Sequence, residues 1–233
     1  MRLRLQFSKG EAVRYISHLD LARVFERAVR RAKLPVAMSE GFNPHMKVAY
    51  ASALSVGVTS DCEYVDIEMR SAVPAQEMVA ALKQQLPAGL TLVESRIIEQ
   101  PSAALMALVN IADYIITAPL QKDTTAEQLL EILGRFLSAQ SACFVRHSPK
   151  GNKTIDVRPL IDTITLTACS AQGAAFFLRS YITDKGTVKP HEVMQLLVEQ
   201  FGLPLAGSNP VVHRSGLYIQ RDGILLSPLD VIR

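Results

Sequence analysis

Leucine and phenylalanine alternate with polar residues at the start of the chain. Leu3, Leu5 and Phe7 fall on one face and Arg2, Arg4 and Gln6 on the other, the pattern of a half-buried strand. From Leu19 the period lengthens: Leu21, Val24, Phe25, Ala28, Val29 and Ala32 share one side of a helix that Ser17 and Asp20 cap at its start and Pro35 closes. Lys47 to Ala53 and Tyr64 to Met69 read as strands, the second turning Val65, Ile67 and Met69 inward. A helix from Pro74 to Leu86 ends at Pro87-Ala88-Gly89, and Leu90 to Ile98 is a further strand. The order strand, helix, strand, strand, helix, strand predicts a ferredoxin-like unit over residues 1–100.

After the punctuation Gln100-Pro101-Ser102-Ala103 the same grammar recurs. A strand at Ala112 to Ala118 leads to a helix beginning at Thr124-Thr125-Ala126-Glu127 and running to Ser138. Strands follow at Ala142 to Arg146, Thr154 to Val157, Ile164 to Cys169 and Phe176 to Ile182. Pro190 opens another helix, stopped at Gly202-Leu203-Pro204, and Val211 to Gln220 turns through Arg221-Asp222-Gly223 into a terminal hairpin. The predicted fold class is α+β: two ferredoxin-like (βαββαβ) units with antiparallel sheets, the second, over 108–233, elaborated by an extra hairpin. No sequence repeat links the halves, so the duplication rests on element order.

Composition changes this picture little. At 233 residues, 48% hydrophobic and 20% charged, the chain has enough apolar material for its own cores. The longest suggestive apolar run, Ala103 to Ala112, contains Asn110 and meets Asp113, so the sequence predicts no membrane span. The alternating first residues do not read as a secretory signal, which points to the cytoplasm. Cys62, Cys143 and Cys169 lie too far apart for a CxxC pair, a zinc knuckle or the ligation of an iron-sulfur cluster, and read as small buried apolar groups.

Charge is more telling in its distribution than in its total of +3. Residues 1–50 carry ten Lys and Arg against four Asp and Glu, residues 51–145 five against eleven, and residues 146–233 ten against seven. Within the first stretch, Arg23, Arg27, Arg30 and Arg31 recur at i, i+4, i+7 and i+8, a stripe suited to a nucleic-acid backbone because each guanidinium can grip a phosphate; a solvated basic face is the plainer alternative. Arg14 and His18 flank the helix start, where free backbone N–H groups favour an anion, although Ser17 and Asp20 also suffice as a simple cap. The turn Ser39-Glu40-Gly41-Phe42-Asn43-Pro44-His45-Met46-Lys47 offers Phe42 as a stacking surface with Asn43, His45 and Lys47 beside it, or else is a connector with Phe42 tucked inward. Lys150 and Lys153, in a basic turn after Arg146, extend the electrostatic track or form a solvated hairpin tip.

Tyr15, His18, His45 and Lys47 contain the groups needed for metal-independent RNA cleavage, while a metal set of His18, Glu40 and His45 lacks ligand spacing. Arg2 and Arg4 are expected to pair across strands with Asp66 and Glu68, neutralising an open sheet face that has only Tyr64 as an aromatic; this argues against stacking of bases on the sheet.

The runs Tyr15-Ile16-Ser17-His18-Leu19-Asp20, Val24-Phe25-Glu26-Arg27-Ala28 and Ser39 to His45 strongly resemble the bacterial radical-SAM-linked protein family of unknown function, and Lys153-Thr154-Ile155-Asp156-Val157-Arg158-Pro159-Leu160 looks like its second block. The match covers most of the chain, with Met46 where many relatives are expected to carry proline. The resemblance implies a protein encoded beside, or fused behind, a radical SAM enzyme, often near RNA-processing and ribosomal genes; it names no reaction and no catalytic residue. By fold analogy, duplicated ferredoxin-like units also resemble RNA-binding proteins of CRISPR processing. The function expected is an RNA-binding (tRNA or rRNA) adaptor working with a radical SAM modification enzyme, with no cofactor or metal of its own. The alternatives are an endoribonuclease or a purely protein-docking partner of the same enzyme.

Overall fold

The computed structural model describes residues 1–72, 74–98, 102–148, 151–184, 186–207 and 209–230, with the side chain of Ser148 excepted. The protein is mixed α+β, with a mostly antiparallel sheet and, among the described residues, five α-helices. Its chain divides into two compact units, residues 1–110 with 217–233, and residues 111–216. The last strand and terminal hairpin, placed by the sequence pattern entirely in the second unit, thus group with the first from Leu217 onward.

In the first unit the elements run β1 (Arg2–Lys9), α1 (His18–Arg31), β2 (Val48–Tyr50), β3 (Val58–Glu68), α2 (Ala75–Lys83), β4 (Leu90–Ile98) and a one-turn α3 (Leu105–Leu108). The strand order is β4-β1-β3, with β2 also on β3, and these pairings are antiparallel. Alternation decides the faces. Leu3, Leu5 and Phe7 of β1 and Val65 and Ile67 of β3 pack under Leu21, Phe25, Ala28 and Val29 of α1 and Met78 and Leu82 of α2, forming one continuous core. β2 is shorter than the predicted strand and β3 begins six residues earlier, because Thr59, Ser60 and Glu63 are buried strand residues whose polarity hides the strand.

The opposite face of this sheet is not open. Arg4 is fully buried; its Nε and Nη2 donate to the two Asp66 oxygens at 2.7 and 2.9 Å, and its Nη1 donates to the Pro228 carbonyl at 2.7 Å. Arg2 reaches Glu68 at 3.3 Å. The expected cross-strand pairs therefore form, but the C-terminal segment around Pro228 and the buried Leu229 lies over them. Burial there pushes the Tyr64 phenol up to about 12, against the opposing hydrogen bond from Ser227.

In the second unit β5 (Ile111–Ala118), α4 (Ala126–Ser138), the hairpin β6 (Cys143–Ser148) and β7 (Gly151–Asp156), β8 (Ile161–Ser170), β9 (Gly173–Tyr181), α5 (Pro190–Phe201) and β10 (Val211–Arg221) follow in turn. The strand order is β10-β5-β9-β8, and β6–β7 forms its own two-stranded ribbon. Thr125 caps α4 in a full capping box with Gln128, and Gly202, at φ 75°, ends α5 in the left-handed conformation that a side chain disfavours. β10 turns through Asp222 and Gly223, both at positive φ, into β11 (Ile224–Leu226), the geometry an Asp-Gly hairpin adopts. None of the three cysteines is in a disulfide; Cys62 is buried as expected, whereas Cys143 and Cys169 sit at exposed strand ends. No helix among the described residues is long and apolar enough to cross a membrane.

Candidate nucleic-acid interface

The start of α1 is held from below by a buried lysine. Lys9 donates from Nζ to the carbonyls of Arg14 at 2.8 Å, Val58 at 3.1 Å and Ile16 at 3.5 Å, tying the chain just before the helix to β1 and the start of β3. The Arg14 and Val58 carbonyls lie at the distances such hydrogen bonds require, with Ile16 farther out. Ser17 is the N-cap, its hydroxyl oxygen accepting from the Asp20 N–H at 3.1 Å.

The Asp20 carboxylate accepts the Ser17 hydroxyl at 2.7 Å and pairs with Arg23 at 3.0 Å. Those contacts, the Ser17 hydrogen bond foremost, hold the Asp20 carboxyl below its usual range. The positive end of this helix therefore already has a resident carboxylate.

His18 is half-buried, its ring edge-on to buried Tyr50 with centroids 5.1 Å apart. Arg14 is engaged with the protein: Nε donates to the Gly57 carbonyl at 2.6 Å, and the guanidinium lies over the Tyr15 ring at 5.5 Å. Tyr15 itself is largely exposed.

Apart from Arg23, the arginine stripe stands clear of these contacts. Arg23, Arg27, Arg30 and Arg31 are all exposed on the side of α1 away from Leu21, Phe25, Ala28 and Val29. Arg23 answers Asp20; among the described residues no carboxylate pairs with Arg27, Arg30 or Arg31. Arg30 and Arg31 also complement the helix C-terminus.

The loop after α1 is closed rather than loose. The Ser39 N–H donates to the His45 carbonyl at 2.8 Å, the His45 N–H donates to Ser39 Oγ at 3.0 Å, and that oxygen is 2.8 Å from His45 Nδ1. At the tip, with Gly41 at φ 115°, Phe42 is fully exposed and Asn43 beside it is exposed. The stacking alternative for Phe42 thus has the geometry it needs, and the tucked-in alternative does not. Lys47 sits 3.6 Å from Glu68, and His45, Lys47, Arg2, Asp66 and Glu68 line a cavity of about 210 Å³.

These groups do not form one continuous cationic surface. Lys47 and Glu68 lie with Arg2 and Asp66 on the sheet face turned from α1, whereas the stripe faces outward from the opposite layer. The alternation of β3 is the reason: Ile67 goes to the helices, so Asp66 and Glu68 go the other way. His18 and His45 are likewise divided, and no cluster of three His, Cys, Asp or Glu that could hold a metal occurs among the described residues.

In the second unit, Lys153 is exposed and Lys150 lies outside the described residues. Other cations of that stretch hold the fold together. Arg146 clamps Glu192 with two 2.7 Å bonds, and Arg158 donates to the carbonyls of Leu137 at 3.0 Å and Ile161 at 2.7 Å. Glu192 in turn accepts from the Lys189 N–H at 2.9 Å, closing the first turn of α5. Burial alone would raise the Glu192 carboxyl, but its Arg146 and Lys189 bonds hold it below the ordinary value. Sequence spacing gives no sign of these long-range partners; only Glu192, three residues after Lys189 and just inside Pro190, carries a local helix-start signal.

In fold the protein is similar to a chain of a Cbf5-Nop10-Gar1 complex, with a TM-score of 0.53 and 8% identity over 92% of this chain and 48% of that one. It is similar also to a chain of an H/ACA RNP bound to a substrate RNA containing 2′-deoxyuridine, with a TM-score of 0.51 and 10% identity over 95% of this chain and 47% of that one. This chain spans about half the length of those it matches. No curated protein matches it by sequence. Residues 2–190, and with them the α1 motif, the Ser39–His45 loop and the Lys153–Leu160 segment, place the chain in the family described as "Uncharacterized protein conserved in bacteria (DUF2344)".

Proposed function

We propose that the protein is a non-catalytic RNA-binding adaptor, for tRNA or rRNA, built on two ferredoxin-like units and working beside a radical SAM modification enzyme. The observation that carries the reading is the row of exposed guanidiniums on α1, three of which have no carboxylate partner among the described residues. Such a row matches phosphates and releases their counterions. Exposed Phe42 adds a surface on which an unpaired base can stack. The fold likeness to chains of RNA-protein complexes lends support by analogy, and the radical SAM partner rests on the motif resemblance.

Binding of bulk tRNA across a salt series tests it. The wild type binds with an affinity that falls as salt rises, and Arg27→Ala with Arg30→Ala and Arg31→Ala lowers the slope of log affinity against log salt by about two to three, near one unit per lost phosphate contact. Absence of salt-sensitive binding, or an unchanged slope, overturns the proposal. The cleavage alternative asks two acid–base groups to meet at one bond. His18 lies against Tyr50 and His45 on the other side of the sheet, so the geometry favours binding over catalysis.

A further inference from the structure

The β6–β7 hairpin sets Arg146 directly opposite Lys153. Residues so paired point to one face with Cβ atoms roughly 5 Å apart, and like charges there repel. Glu192 answers the Nε and Nη2 edge of Arg146. Among the described residues, neither Arg146 Nη1 nor the Lys153 ammonium has a partner. One cation of the pair is thus neutralised and the other is not.

Beneath them lies a cavity of about 390 Å³ whose walls include Ile155, Pro159, Leu160 and Thr187. Ile155 shares the face of Arg146 and Lys153, since the register advances two residues between them. The site is therefore an apolar floor beside Thr154 and Asp156, with Lys153 and the outer edge of the Glu192-paired Arg146 on its rim. Its volume falls within the range of small-ligand pockets. The Lys153–Leu160 segment, singled out as a motif and given no part in RNA binding on α1, supplies most of this lining.

We propose that this cavity binds a nucleotide phosphate, held by Lys153 and Arg146 Nη1 with the base against Ile155, Pro159 and Leu160. The ligand is a free nucleoside monophosphate or the phosphorylated 5′ end of an RNA, which present the same chemistry. The site shares no residue with the α1 stripe.

Titration of the whole protein with a fluorescent nucleoside monophosphate tests the assignment, with unlabelled nucleoside, nucleoside monophosphate and 5′-phosphorylated or 5′-hydroxyl oligoribonucleotides as competitors. Saturable binding is expected, with the nucleoside competing poorly. Lys153→Gln, at an exposed position, should retain the wild-type melting temperature and weaken binding about ten- to a hundredfold, the effect of losing one charge-assisted hydrogen bond. Lys122→Gln, which removes an equally exposed charge outside the cavity, should leave binding unchanged. Competition by the free monophosphate identifies that source, and competition by the 5′-phosphorylated oligonucleotide alone identifies an RNA end. No saturable binding, equal affinity in Lys153→Gln, or equal loss in Lys122→Gln overturns the proposal.

Discussion

The two units solve the same problem with the charges exchanged. In each, the first strand pairs antiparallel with a later one, β1 with β3 and β5 with β9, and one Arg–Asp pair stands directly across that seam: Arg4 opposite Asp66 in the first, Asp113 opposite Arg179 in the second. Both are bidentate, the second with two bonds of 2.7 Å. Their surroundings differ. Arg4 is sealed beneath Pro228, whereas the Arg179 side chain keeps 27% exposure and lies over the Phe177 ring at 5.6 Å. The sheet position demands a matched pair but is indifferent to which strand carries which sign, and the cover decides how costly a mismatch becomes.

The largest expected effect is therefore at the sealed pair. Arg4→Met leaves buried Asp66 with only Arg2, 3.6 Å away, and should cost about 3–5 kcal/mol in denaturant unfolding, while adding Asp66→Leu should recover most of that loss. Reversing the pair, Arg4→Asp with Asp66→Arg, imitates the polarity of the second unit. The double variant should be more stable than either single one; if it is not, Pro228 rather than the pair dictates the polarity. Arg179→Met should cost less, about 1–3 kcal/mol, because water reaches that side chain. Equal losses at Arg4 and Arg179 would show that the covering segment adds nothing.

The helix starts sharpen the contrast at smaller scale. Ser17→Ala at α1 and Thr125→Ala at α4 should each cost about 1 kcal/mol. Acid separates the units as well. The depressed folded value of Glu192 contributes stability that is complete above its ordinary 4.5 and is lost as pH falls through the folded value. His191, lowered chiefly by burial, adds a loss that starts as pH drops below its ordinary 6.5. Unfolding followed from pH 7 downward should show the stability slope between 6.5 and the lower folded value flatten in His191→Gln; an unchanged slope would mean that His191 is solvated.

Much of this was written locally. Alternation in Arg2 to Phe7 names both the core face and the charged face, the Ser17 cap places the start of α1 to the residue, and the helical spacing of Arg23, Arg27, Arg30 and Arg31 foretells an exposed row. These features depend on neighbours within one or two turns, so a single stretch of chain contains their cause. Phe42 was ambiguous, since an aromatic in a turn can go in or out; the closure of Ser39 on His45 leaves it outside. The early start of β3 was hidden because Thr59, Ser60 and Glu63 look like a loop until other elements bury them.

Local pattern, then, is sufficient for element type, for the core-facing side of each element and for which cations lie on an exposed helix face, because dihedral preferences and periodicity act over a few residues. It is insufficient for the sealing of Arg4 by Pro228, for the clamp of Arg146 on Glu192, and for the division of the α1 stripe from Lys47 and His45. The first two join groups far apart in the chain and the third sends nearby segments to opposite faces, and which groups meet is settled by how strands pair and layers stack, a global balance of burial that no single segment encodes.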